Sequence, residues 1–219
     1  MPHTSVLSSL LEIPVFTCIP MPGLPSVPQH FVDRVLAIGH SGQLGEKDIM
    51  PYGKNPAYID RDVMINGVVQ KSKITAKYAL GNEWEDWVRT NITDRYYDTG
   101  ARITIHNDRS TTGPHVDYPG KLRLFYLVDS GGPDTKTVWY LRPGEPTLFD
   151  TDTWYARHGH AYCDNNVDEL IELDRRQLPL NQWVLFNGYI RHGVMNQRGC
   201  RMYFDIAMTP DNVRFILEK

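Results

Sequence analysis

The sequence predicts a mainly β fold, a sandwich or barrel-like jelly roll with flanking helices. Three observations carry this expectation. From about residue 100 onward, segments of strand length alternate with turn residues. Aromatics make up 11% of the chain, with 12 Tyr and 5 Trp, residue types that fit a pleated, half-buried surface. The 17 glycines and 15 prolines provide frequent turn positions. A length of 219 residues suits one domain with a sizeable core. The expected organisation is a single domain over 1–219, with an N-terminal extension at 1–99 whose short helices pack on a jelly-roll core at 100–210.

Taken in order, the elements follow from local pattern. Eight of the 15 prolines fall in the first 56 residues, and the run Pro20-Met21-Pro22-Gly23-Leu24-Pro25 cannot sit inside a helix or a central strand. This segment reads as an extended arm lying on the core. A short helix is expected from Gln29 to Ile38, with Phe31, Val35 and Ile38 at helical spacing. Residues 40–72 read as turn-rich. Asn82 to Tyr97 suits an amphipathic helix carrying Trp84, Trp87 and Val88. Strands are then expected at Arg102–His106, Lys121–Val128, Thr137–Leu141, Gln182–Phe186 and Arg201–Met208, broken by Gly131-Gly132-Pro133, Arg142-Pro143-Gly144 and Asn187-Gly188. The polar stretch 150–180 reads as a long excursion between strands.

Composition excludes several classes. The formal charge of −3 and a pI near 6.2 provide no basic face for coating duplex nucleic acid. With 22% charged and 41% hydrophobic residues the chain is not disordered. Cys18, Cys163 and Cys200 are odd in number and widely spaced, which points to a reduced, cytoplasmic setting rather than a disulfide framework. The apolar stretch Val6 to Ile19 is broken by Glu12 and Pro14 and lacks a basic n-region, so neither a signal peptide nor a membrane partner is expected.

The sharpest chemical feature is His115-Val116-Asp117 with His192 far downstream. On an extended chain, residues i and i+2 point to the same side, so His115 and Asp117 can reach one ion together. With His192 they form a two-histidine, one-carboxylate face, a donor set that suits non-haem Fe(II) and leaves open positions. The same three residues also suit zinc, or ordinary surface-loop positions. Arg201 lies a short way beyond His192, deep in a strand pattern, where a guanidinium calls for an acidic partner. That partner is either a ligand carboxylate or a structural aspartate such as Asp205.

The order of these pieces resembles the Fe(II)/2-oxoglutarate-dependent oxygenases, nearest in pattern to the prolyl 4-hydroxylase-like branch. It reads Arg102-Ile-Thr-Ile-His-Asn107, Pro114-His-Val-Asp117, Leu124-Phe-Tyr-Leu127, Gly131-Gly132 with Thr137-Val-Trp139, Trp183-Val-Leu-Phe186, and His192-Gly-Val194 through Gly199-Cys-Arg201. The resemblance implies a double-stranded β-helix and a dioxygenase that uses Fe(II), with 2-oxoglutarate and O₂ as cosubstrates. It further implies hydroxylation of a peptidyl or free amino acid or small metabolite, with release of succinate and CO₂. His115, Asp117 and His192 match the iron ligands. Arg201 matches the residue that holds the distal carboxylate of 2-oxoglutarate, and Tyr126 a tyrosine bonded to the same carboxylate. Where the branch often carries a tyrosine before the His-x-Asp motif, this chain has His106 and Asn107, candidate contacts to cosubstrate or substrate along with Arg198. Two other readings stand beside this one. His158-Gly159-His160 with His192 loosely fits a cupin metal set, and a jelly roll can also serve as a non-catalytic interaction module.

Overall fold

The computed structural model describes residues 16–41, 59–65, 68–78, 82–95, 101–106, 114–116, 122–141, 143, 169–208, 212–213 and 216. Ten strands and two helices alternate along them: β1 (Cys18–Pro20), α1 (Gln29–Ser41), β2 (Ile59–Ile65), β3 (Val68–Tyr78), α2 (Asn82–Asn91), β4 (Ala101–His106), β5 (Leu122–Ser130), β6 (Lys136–Leu141), β7 (Ile171–Arg176), β8 (Trp183–Asn187), β9 (Arg191–Met195) and β10 (Arg201–Met208). A seven-stranded sheet runs β1-β8-β5-β10-β4-β3-β2, and a three-stranded sheet runs β7-β6-β9. Every pairing between these strands is antiparallel. An isolated antiparallel bridge between His115 and His192 extends the smaller sheet past β9.

From β4 onward the chain passes repeatedly between the sheets. β4 lies in the large sheet, the 114–116 segment in the small one, β5 in the large, β6 and β7 in the small, β8 in the large, β9 in the small and β10 in the large. Eight segments shared between two antiparallel sheets in the orders β8-β5-β10-β4 and β7-β6-β9-(114–116) are the connectivity of a jelly roll, the double-stranded β-helix expected from the sequence.

Alternation along β5 and β10 sorts the core into two parts. Leu122, Leu124, Tyr126 and Val128, with Met202, Phe204, Ile206 and Met208, form the outer face of the large sheet. Phe31, Val32 and Val35 of α1 and Trp84 and Val88 of α2 cover that face. Phe125, Leu127, Val184 and Phe186 point the other way and meet Trp139, Leu178 and Ile190 between the sheets.

The N-terminal arm lies along the large sheet. β1 pairs with β8, and the Trp183 indole N–H donates to the Pro25 carbonyl at 2.9 Å. Beside it, the Thr17 hydroxyl and Arg176 both bond Asp174, tying the β1 edge of one sheet to the β7 edge of the other. Burial works against the charged Asp174 carboxylate, but these hydrogen bonds outweigh it and hold its pKa below the usual carboxylate range.

Several stretches depart from the sequence expectation. Ile59–Ile65 and Val68–Tyr78, within and just beyond the part read as turn-rich, pair as β2 and β3 and extend the large sheet. Charged residues throughout Ile59–Ile65 and Val68–Tyr78 obscure their alternation. β7 lies inside the stretch read as a polar excursion. Its six residues include Glu172, Asp174, Arg175 and Arg176, a charge density typical of edge strands that must resist further pairing. The second helix ends at Asn91, short of the expected Tyr97.

Among the described residues, no helix is long and apolar enough to cross a membrane. Cys18 is a free thiol, and burial pushes its pKa up.

Candidate functional site

The site lies between the sheets, where β9 and the 114–116 segment meet. His115 and His192 exchange both backbone hydrogen bonds, His115 N–H to His192 carbonyl at 2.8 Å and the reverse at 2.7 Å. Residues directly opposite in an antiparallel pair place their side chains on one face. The two imidazoles accordingly lie with centroids 4.5 Å apart. Arg191, 1% exposed, donates from Nη1 to the Pro114 carbonyl at 3.3 Å and ties the His115 segment to β9 from the adjoining position.

His192 is buried at 6% exposure, with Phe186 edge-on at 4.7 Å. Its Nδ1 lies 2.8 Å from the Ile190 carbonyl oxygen. A carbonyl only accepts, so Nδ1 carries a proton, and in the neutral ring Nε2 carries the lone pair. This is the backbone-oriented tautomer common among metal-ligating histidines. Asp117, the third expected ligand, lies outside the described residues, and among those residues no group of three metal-ligating side chains occurs. The His192 tautomer leaves Nε2 as the nitrogen that would ligate a metal, with the His115 ring beside it.

Arg201 begins β10 and points inward. It is 3% exposed, its Nη2 donates to Thr137 Oγ1 at 3.2 Å, and its guanidinium carbon sits 5.8 Å from the centroid of the Phe125 ring. Its Nε is buried without a hydrogen-bond partner. Burial pushes its pKa down to about 10, opposed by attraction to Tyr203, so the group stays cationic at neutral pH. Asp205, the structural partner considered from the sequence, pairs with Arg123 instead. Among the described residues no carboxylate pairs with Arg201.

Register relates the two ends of the site. Thr137, which holds Arg201, stands opposite Val194 on β9; Trp139, two residues along β6, stands opposite His192. At about 3.4 Å per residue, two residues along a strand span roughly 7 Å, the length scale of a short dicarboxylate. A buried cation at one end and a histidine pair at the other, beside the apolar cluster of Phe125, Trp139 and Phe186, would suit a small anion.

The other expected site residues divide. Tyr126 is placed differently from the expectation that it bonds the same carboxylate as Arg201. It belongs to the outer face of β5, where its ring packs against Trp183 and Phe204. Its hydroxyl meets the Ser26 side chain and the Val27 backbone, and burial pushes its pKa up. Period-two alternation puts it across the sheet from Phe125, the neighbour that faces Arg201. Arg198 is exposed, in the loop between β9 and β10, with its backbone N–H bonded to the Gly131 carbonyl at 2.9 Å. Gly131 has φ +77°, and a Cβ there would lie 2.9 Å from the Gly199 carbonyl oxygen, so glycine lets the loop leading to Arg201 pack against this turn. His106 stands opposite Arg201 in the β4–β10 register. Asn107, His158 and His160 lie outside the described residues.

Sequence reasoning missed Thr137, Arg191 and Trp139 as members of this site. Trp139 and Thr137 share a period-two stripe in Lys136–Leu141, and Arg191 directly precedes His192, but the sequence does not show which face of either strand looks inward.

No protein-family model matches the sequence, and no curated protein matches it. Among solved structures, the chain is similar to an oxidoreductase of the 2OG-Fe(II) oxygenase family from Burkholderia pseudomallei, with 12% identity over 96% of this chain and 92% of that one and a TM-score of 0.43. It is also similar to EvdMO1, with 13% identity over 92% of this chain and 49% of that one and a TM-score of 0.42. A third is AviO1 from Streptomyces viridochromogenes, with 12% identity over 94% of each chain and a TM-score of 0.35. These likenesses are distant, and the jelly-roll assignment rests on the strand order itself.

Proposed function

We propose that this chain is an Fe(II)- and 2-oxoglutarate-dependent dioxygenase of the prolyl 4-hydroxylase-like branch. In this reading it hydroxylates a peptidyl or free amino acid or a small metabolite in a reducing, cytoplasmic setting. The observation that carries the reading is the buried Arg201 guanidinium, held by Thr137 and joined by no carboxylate among the described residues, about two strand residues from the His115–His192 pair. Burying a cation without a counter-charge is costly, so the site is built for an anion supplied from outside.

His115, His192 and Asp117 would hold the iron, and Arg201 with Thr137 would hold the distal carboxylate of 2-oxoglutarate. Bound iron with 2-oxoglutarate and O₂ supplies the oxidising chemistry that inserts oxygen into a C–H bond and releases succinate and CO₂. The protein's part is positional. The Ile190 carbonyl fixes the His192 tautomer, and Phe186 restricts ring rotation. Arg191 ties the His115 segment to β9. Phe125, Phe186 and Trp139 exclude water along the path between the two ends.

The test adds Fe(II) and 2-oxoglutarate to the full chain under anaerobic conditions, then admits O₂. A visible metal-to-ligand charge-transfer band, followed by succinate, is expected for the wild type, and His192→Ala should show neither. A wild-type chain that binds no 2-oxoglutarate and forms no succinate would overturn the reading.

A further inference from the structure

We infer that Trp139 is a ligand contact in this site, its indole N–H donating to the C1 carboxylate of the bound 2-oxo acid. This rests on the reading above and adds a residue to it. Trp139 is 0% exposed, stands opposite His192 in register and packs on Phe186 with ring centroids 5.3 Å apart. It shares the inward stripe of β6 with Thr137, the residue that holds Arg201. Its Nε1 is buried without a hydrogen-bond partner among the described residues.

Buried N–H groups without acceptors are rare in folded proteins, and phenylalanine would offer a ring here without one. Two buried donors have no partner among the described residues, Arg201 Nε on β10 and Trp139 Nε1 on β6; Thr137, which bonds Arg201, stands two residues before Trp139, which lies opposite His192. A 2-oxo acid with its distal carboxylate on Arg201 directs its C1 carboxylate toward His192, beside Trp139. A carboxylate offers about four acceptor positions, so an oxygen that faces the metal still leaves positions for an indole N–H. The N–H···O⁻ bond would be charge-assisted and therefore among the stronger kinds. Trp84 Nε1 is also without a partner, but it lies under the outer face between α1 and the large sheet, away from this space.

The chain carries five tryptophans, Trp84, Trp87, Trp139, Trp154 and Trp183, whose indole ¹H–¹⁵N resonances can be followed together. The full chain is loaded with Zn(II) as a diamagnetic metal and titrated with 2-oxoglutarate. The Trp139 resonance is assigned by its loss in Trp139→Phe or, should that variant not fold, by NOEs to the Phe186 ring. On titration it should move downfield and exchange more slowly with solvent, while that of Trp84 stays in place. Levulinate, which keeps the chain, the ketone and the distal carboxylate but has a methyl in place of the C1 carboxylate, should leave Trp139 unmoved. By calorimetry, Trp139→Phe should weaken 2-oxoglutarate binding about tenfold or more, the scale of a lost hydrogen bond to a charged group. If 2-oxoglutarate binds but the Trp139 resonance does not move, this inference fails and the proposed function stands. If the wild type binds no 2-oxoglutarate at all, both fail.

Discussion

The two faces of β5 and β10 carry opposite chemistry on the same backbone. The outer face shows Leu122, Leu124, Tyr126 and Val128 beside Met202, Phe204, Ile206 and Met208. The inner face of the same strands carries Arg123, Phe125 and Leu127 beside Arg201, Tyr203, Asp205 and Ala207. Most residues of both faces are buried, and the half-buried ones among these, Arg123 and Tyr203, belong to the inner face. What separates them is how their polar groups are satisfied. The Tyr126 hydroxyl on the outer face finds Ser26 and Val27, and on the inner face Asp205 finds Arg123. Arg201, also on the inner face, finds one neutral hydroxyl. A sheet that spends one face on cohesion can carry a charge on the other that does little for stability.

That contrast can be broken by paired substitutions. Phe204 is 0% exposed and packs on Trp84 at 4.7 Å between ring centroids. Phe204→Ala should cost about 3–5 kcal/mol, the range for truncating a buried aromatic, read as a lower denaturation midpoint at unchanged slope. Arg201→Met keeps much of the volume and removes the buried charge. It should leave stability unchanged or raise it by on the order of 1 kcal/mol. The same variant should weaken 2-oxoglutarate binding by about 100-fold or more, the loss expected for a fully desolvated charged contact. If Arg201→Met destabilised the fold as much as Phe204→Ala, the inner face would be structural and the anion site misread.

Much of this was readable in the residues. β5, β6, β8 and β10 follow from short apolar runs bounded by Gly131-Gly132 and similar breaks, and α1 from Phe31 and Val35 at helical spacing. His115, His192 and Arg201 were readable because charged and imidazole side chains stand out in such a setting. The charged strands β2, β3 and β7 were not: β2 and β7 are edge strands, which need not alternate cleanly, and in β3, paired on both sides, charges are mixed among apolar residues. The facing of Tyr126 was not readable either. In Leu124-Phe125-Tyr126-Leu127 every residue is apolar or aromatic, and since both faces are buried the pattern carries no phase. The pairings with β10 and β8 fix the phase: Phe125 stands opposite Asp205 and Val184, and Tyr126 opposite Phe204 and Trp183.

Tyr126→Phe is the smallest of the expected effects and the sharpest test of that phase. The ring stays against Trp183 and Phe204, so packing is kept. The lost hydroxyl contact to Ser26 and Val27 should cost about 1 kcal/mol, the net value of an ordinary hydrogen bond. Affinity for 2-oxoglutarate should be unchanged within error in the same titration that shows a large loss for Arg201→Met. A parallel loss of affinity would place the Tyr126 hydroxyl in the cosubstrate pocket and shift the inward stripe of β5 by one residue. Such a shift would turn Phe125 away from Arg201 as well, because a single step in strand register exchanges the two faces along the whole strand.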